Sequence, residues 1–291
     1  MSLLDKHLSR FAQQCDRVDA GHWRLALTNG RSLSISVRLD DGFLLFDADA
    51  GIRPAAEDLA PLAERSSELP AMVKLALRRG SPGVRLRAEL PLPEEDDVPA
   101  DRIRSRVEGM RSALHRLHDG FSREAAGEEM ACPQPQGNEQ AIAGGLAEIL
   151  KESGWPYRER PGGEFLADLE TGDQLLQAEI RSCGAGARFR MALYRSEAAG
   201  ELARQAVCLY LLEANAALRY ARAFFRRDSA EITAGFEVCL EGEPTAAEVG
   251  HALGALSVAA RQCGRELKVL DGALAGMYWS ARPPFNPSKG A

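Results

Sequence analysis

Short stretches near the start of the chain alternate apolar and polar residues, which is the pattern of half-buried β-strands. In residues 33–39 every second side chain is apolar. Asn29-Gly30 and Asp41-Gly42 flank this stretch, and such pairs favour the two-residue turns of β-hairpins. The pattern therefore predicts three consecutive antiparallel strands, at about residues 23–27, 33–39 and 43–47.

Apolar residues at helical spacing surround these strands. Leu4, Leu8, Phe11 and Cys15 lie on one face of a first predicted helix. A second helix, two strands and a third helix are predicted at about residues 55–69, 72–77, 84–92 and 99–117. The first half of the chain is therefore predicted to have the order α-β-β-β-α-β-β-α.

The second half of the chain repeats this pattern. Residues 78–92 align without gaps on residues 226–240, with five identities in fifteen positions. The apolar spacing of the third helix recurs at residues 249–263. Self-similarity over such a length predicts a duplicated module. We therefore expect an α+β fold of two tandem α-β-β-β-α-β-β-α modules with antiparallel sheets, packed as a pseudo-dimer.

Composition indicates where the modules begin and end. Residues 121–140 are rich in glycine, proline and acidic residues, which is typical of a linker. Residues 281–291 show no periodicity. The predicted organisation is a first module at 1–120, a linker at 121–140, a second module at 141–280 and a tail at 281–291.

Three segments of the second half carry a family resemblance: residues 211–218, the hairpin over 220–240, and Glu241–Glu248 at the start of the last helix. In this order they resemble the type III secretion chaperone-like fold, which includes YbjN-like and CesT-like proteins. The first half resembles this fold through its last strand and third helix. The resemblance implies small, acidic bacterial homodimers that hold an unfolded segment of a partner protein and carry out no chemistry.

Charge and apolar content limit the class of partner. The net charge of −6 argues against nucleic acid, because phosphate binding needs a concentrated positive surface. The longest apolar stretch, residues 206–212, is too short to span a bilayer, and charged residues among the first fifteen argue against a signal peptide. The six cysteines include no C-x-x-C pair. We therefore expect a cytoplasmic protein with no membrane partner.

Two strand segments are unusual because they are apolar on both faces. A strand packed on helices at one face needs its other face covered by the second module, by another chain or by a segment of a partner. The candidate partner- or interface-binding residues are Phe43, Leu44, Leu45, Phe46, Phe224 and Phe225.

Candidate catalytic chemistry is sparse. His115, His118 and Asp119 have a spacing that metal ligands use, but the second module lacks them, and histidines near a helix end explain them equally well. Glu89 and Glu237 occupy equivalent positions, where we expect outward-facing strand residues. The sequence shows no catalytic or phosphate-binding motif, so we expect no enzyme, no cofactor and no metal.

These observations favour a non-enzymatic, chaperone-like protein that binds an extended or partly unfolded segment of another protein. The alternative is a regulatory or scaffold module that acts through oligomerisation. A metal-dependent hydrolase built on His115, His118 and Asp119 is a distant alternative. The chain is expected to be a monomer with an internal pseudo-dimer, or a homodimer.

Overall fold

The computed structural model describes residues 3–29, 31–55, 57–66, 68–70, 72–78, 83–92, 100–124, 139–171, 175–183, 186–197, 200–228, 231–270 and 273–280. The first half contains α1 (Leu3–Phe11), β1 (Gln14–Asp19), β2 (His22–Asn29), β3 (Arg31–Asp40), β4 (Phe43–Asp49), α2 (Leu59–Ser66), β5 (Val73–Leu77), β6 (Val84–Pro91) and α3 (Ala100–Glu124). The second half contains α4 (Glu139–Glu152), β7 (Tyr157–Arg160), β8 (Glu164–Glu170), β9 (Leu175–Cys183), β10 (Gly186–Ser196), α5 (Glu201–Ala217), β11 (Arg222–Asp228), β12 (Glu231–Glu241), α6 (Ala246–Val269) and α7 (Ala273–Ser280).

The chain forms two compact units. The first unit consists of Met1–Pro54 and Glu68–Met130, and the second consists of Ala55–Ser67 and Ala131–Ala291. The short helix α2 therefore belongs to the second unit, although the first half of the sequence encodes it.

The first unit is built on a six-stranded antiparallel sheet in the order β1-β2-β3-β4-β6-β5. Ile35 and Val37 of β3 are fully buried, whereas Ser34 is exposed, so the predicted alternation holds. Asp41 and Gly42 have φ angles of 47° and 76°, which suit the tight turn between β3 and β4. Helix α3 packs on β5 and β6 and contacts α1, so these helices lie on the apolar side of the sheet.

The second unit contains the other six-stranded antiparallel sheet, in the order β11-β12-β10-β9-β8-β7. Helix α6 packs on β8, β10 and β12, and α4 packs on β9. Helix α5 contacts β11, and α2 contacts both α5 and β11. Helix α7 packs on α5, where the rings of Tyr210 and Tyr278 meet edge to face at 5.7 Å.

This architecture confirms the predicted α+β fold with antiparallel sheets in two tandem modules. The spatial order of strands is the same in both sheets when β1 to β6 are matched in sequence with β7 to β12. Each module holds one strand more than predicted, β1 and β7, which gives the order α-β-β-β-β-α-β-β-α, followed in the second module by α7. Cys15 lies in β1 and not on the first helix, because α1 ends at Phe11.

Much of the predicted linker and all of the predicted tail lie outside the described residues. Helix α3 extends to Glu124 and α4 begins at Glu139, while residues 125–138 and 281–291 are not among those described. The boundaries at 120 and 140, and the packing of the modules as a pseudo-dimer, stay predictions. None of the described helices is long and apolar enough to cross a membrane.

Candidate functional site

The four candidate residues of β4 divide between the two faces of their sheet. Leu44 and Phe46 are fully buried, while Phe43 and Leu45 on the opposite face are half-buried. Leu45 pairs with Glu89 of β6, so this second face carries charged as well as apolar residues.

Phe224 and Phe225 are buried on the two faces of β11, each 2% exposed. The guanidinium of Arg190 lies over the ring of Phe224, 4.5 Å from its centroid. Both residues line a crevice beside α2 and α5. The six candidate residues are therefore buried or half-buried, and their role in binding a partner or forming an interface stays a prediction.

Glu237 of β12 lies at the centre of a buried ion cluster. Its side chain has no exposed surface, and its two oxygens accept hydrogen bonds from Arg190 of β10 and Arg222 of β11, at closest distances of 2.6 and 2.7 Å. Burial by itself would raise the pKa of Glu237, but the charges of Arg222, Arg190 and Arg188 hold that pKa below its usual value. The carboxylate is therefore ionised and fully paired at neutral pH.

Glu89 occupies the equivalent position in β6 and is also buried, at 5% exposure. Its Oε1 lies 3.0 Å from Nζ of Lys74 and 3.1 Å from Nε of Arg87. Burial lowers the pKa of Lys74, and the charge of Glu89 opposes that shift only in part. The prediction of outward-facing residues was wrong for both glutamates, because cations on the same or adjacent strands pair with them inside the protein.

The histidine pair on α3 does not form a metal-like cluster. Nε2 of His118 lies 3.0 Å from the carbonyl oxygen of Ala50, within hydrogen-bonding distance, while His115 and Asp119 are exposed. Among the described residues, no group of three or more His, Cys, Asp or Glu side chains is placed to hold a metal ion.

Strand β7 is an exposed edge of the second sheet, which the sequence pattern missed. The backbone N–H of Asp168 donates a hydrogen bond to the carbonyl of Pro156. Two residues further along β7, Arg158 pairs with Leu166 of β8 in the same antiparallel ladder. Hydrogen-bonded pairs alternate along such a ladder, so the N–H and C=O groups of Tyr157 and Glu159 point away from β8.

The side chains of β7 leave this edge accessible. Arg158, Glu159 and Arg160 are exposed. The equivalent strand β1 is also an exposed edge, but its register shifts between Arg17 and Asp19, and such a bulge interrupts strand pairing. In contrast, every side chain of the edge strand β5 is buried. Strand β11, the other edge of the second sheet, is buried over residues 222–225 and contacts α2 and α5. Strand β7 is therefore the edge best suited to receive another strand.

Comparison with known protein families gives a match within the second half of the chain. Residues 143–268 match the YbjN family. The description of this family reads "Putative bacterial sensory transduction regulator". No curated protein and no solved structure matches the chain. The expected resemblance to YbjN-like proteins is confirmed for these residues.

The YbjN match extends from within α4 to the end region of α6, and it includes both β7 and the Glu237 cluster. It does not include α2, which completes the same compact unit. The match also excludes the first module, so a second YbjN copy there stays a proposal.

Proposed function

We propose that this protein is a non-enzymatic, chaperone-like binding protein that holds an extended segment of another protein along β7. The observation that carries the proposal is the exposed edge of the second sheet, where Tyr157 and Glu159 direct backbone groups outward. The YbjN match supports a regulatory or chaperone-like role for this module. We further propose that the protein acts in the cytoplasm of a bacterium and that its first module is a second copy of the same fold.

An extended peptide can add to such an edge as a further antiparallel or parallel strand. Each outward backbone hydrogen bond would contribute about 0.5–1.5 kcal/mol net. Because β7 spans only Tyr157–Arg160, this contribution is modest, and side-chain contacts must add to it. The exposed charges of Arg158, Glu159 and Arg160 are placed to select among partner segments.

The duplicated-module proposal rests on two independent similarities. The two sheets share one spatial order of strands. The gapless alignment of residues 78–92 on 226–240 places Glu89 on Glu237, and both side chains are buried acceptors of cationic groups. Common ancestry of the modules accounts for both similarities.

The test is affinity capture from the native cytoplasm with three forms of the full chain: the unmodified protein, Glu159→Pro and Glu159→Ala. Proline removes an N–H that points away from β8, so it blocks strand addition without removing a hydrogen bond of the sheet. Alanine removes the same side chain but keeps the N–H. We expect one dominant partner with the unmodified protein and Glu159→Ala, and its loss with Glu159→Pro.

Equal recovery of that partner by Glu159→Pro and Glu159→Ala would exclude strand addition at β7. Circular dichroism of the variants checks that both remain folded. Partner binding should also protect the chain from limited proteolysis, since a bound segment limits local opening.

The family description names a regulator, which favours a second candidate, a regulatory module. We propose that such a module would act through oligomerisation. This candidate would be supported over the first if affinity capture recovers no partner protein and the molar mass of the protein in sedimentation rises with its concentration.

A further inference from the structure

The first unit contains a cavity of about 260 Å³ between α1, β2 and α3. Its apolar lining comes from Phe11, Leu27 and Val107, of which Leu27 is 9% and Val107 3% exposed. The charged part of its lining consists of Arg10, Arg104, Arg111 and Glu108. We refer to these seven residues as the arginine-rimmed cavity.

The rim of the arginine-rimmed cavity is positive although the chain as a whole is acidic. Arg10, Arg104 and Arg111 are exposed. Among the described residues of the lining, Glu108 is the single acidic one. The rim therefore presents exposed guanidinium groups, whose planar donors match the carboxylates of a ligand.

The helices hold these groups around an apolar centre. Arg104, Val107 and Arg111 recur at helical spacing on one face of α3. Arg104 and Arg111 are two turns apart, which separates their Cα atoms by about 10 Å. The guanidinium of Arg104 also lies over the ring of Phe11, 5.2 Å from its centroid. This contact orients the guanidinium beside the apolar lining of the cavity.

We propose that the arginine-rimmed cavity binds an apolar side chain from a partner segment that carries acidic residues on both sides of it. The apolar side chain would contact Leu27, Val107 and Phe11. The flanking carboxylates would accept hydrogen bonds from Arg104 and Arg111, which match carboxylate geometry. This inference rests on the proposed function in one respect, that the partner is a segment of protein chain.

The test is fluorescence anisotropy of labelled peptides with the full chain. The main probe is Ser-Asp-Glu-Phe-Asp-Glu-Ser. One control peptide replaces its acids with Asn and Gln, and a second replaces Phe with Ser. We expect the main probe to bind at least about tenfold more tightly than either control, and its affinity to fall at high ionic strength.

Two double variants of the protein are compared. The first combines Arg104→Glu with Arg111→Glu, and the control combines Arg24→Glu with Arg38→Glu. Both pairs change the net charge equally, and Arg24 and Arg38 are exposed residues of β2 and β3 outside the cavity lining. The first pair should weaken binding of the main probe at least about tenfold. The second pair should change it by less than about threefold.

Equal loss in the two pairs of variants, or equal binding of the main probe and either control peptide, would overturn the inference. Equally tight binding of a single-stranded oligonucleotide of the same charge would also overturn it, because the site would then recognise charge alone.

Capture with Glu159→Pro is measured separately. If Glu159→Pro abolishes capture while Arg104→Glu with Arg111→Glu leaves probe binding unchanged, the inference about the cavity is rejected and the proposed function is kept. If Glu159→Pro leaves capture unchanged while Arg104→Glu with Arg111→Glu weakens probe binding, strand addition at β7 is rejected.

Discussion

Glu237 neutralises two arginines that adjacent strands place beside it, and no part of its side chain is exposed. Replacing one partner of a buried ion pair leaves the other charge uncompensated in a poorly solvated site. We therefore expect Glu237→Gln to lower the free energy of unfolding by about 3–5 kcal/mol. Urea denaturation followed by circular dichroism measures this loss.

The control for this substitution is Glu170→Gln, which makes the same chemical change at an exposed strand end. Its effect should stay within about 0.5 kcal/mol. A loss of equal size in the two variants would show that the Glu237 cluster contributes no specific stabilisation.

The same carboxylate predicts a dependence of stability on pH. Because the folded protein holds the pKa of Glu237 below its usual value, the stabilisation is present above the unfolded pKa, which is about 4.3 for glutamate. It is lost as pH falls from there through the lower folded pKa. We expect the difference in unfolding free energy between the unmodified protein and Glu237→Gln to shrink over that range.

Denaturation series at several pH values between neutrality and about pH 3 measure this difference. The titration of other carboxylates contributes to the unfolding free energies of both proteins, so it cancels in the difference between them. A difference that stays constant as the pH falls below about 4 would contradict the prediction.

At the scale of single elements, α6 begins with a complete capping box. Oγ1 of Thr245 accepts a hydrogen bond from the backbone N–H of Glu248, whose side chain accepts one from the N–H of Thr245. We expect Thr245→Ala to lower the free energy of unfolding by about 1 kcal/mol, since it removes the acceptor for a helix N-terminal donor. Thr245→Ser keeps a hydroxyl and should lose little.

Chemical denaturation of both variants measures this effect. An equal loss for Thr245→Ser and Thr245→Ala would mean that the methyl group of Thr245, not its hydroxyl, stabilises the helix start.

The elements that the sequence predicted well are those with a strong apolar period. The third helix was recognisable because Ile103, Val107, Met110 and Leu114 form one buried stripe. Strands β1 and β7 were missed because they are short or polar edges whose side chains are mostly exposed, so they show no alternation. The pairing of Glu237 with Arg222 depends on cross-strand register, which spacing along one chain does not reveal.

At the scale of the whole molecule, the second unit depends on residues from the first half. Helix α2 contacts α5 and β11, and Leu59 and Leu62 are fully buried. A fragment of residues 131–291 should therefore be less stable than the same unit in the full chain. Adding a synthetic peptide of residues 55–67 should raise its thermal unfolding midpoint.

The matched control is the same peptide with Leu62→Glu, which places a charge at a buried position. Differential scanning fluorimetry and titration calorimetry measure stabilisation and binding. A fragment that is equally stable with and without the unmodified peptide would contradict the assignment of α2 to the second unit.

The position of α2 in the chain also affects when the second unit can fold during synthesis on the ribosome. Helix α2 ends at Ser66, whereas β11, against which it packs, begins at Arg222. At about 5–20 residues per second, the interval between their syntheses is on the order of ten seconds. During that interval the buried face of α2 lacks its final partner, so a nascent chain would expose Leu59 and Leu62 to other binding proteins before its second unit can form.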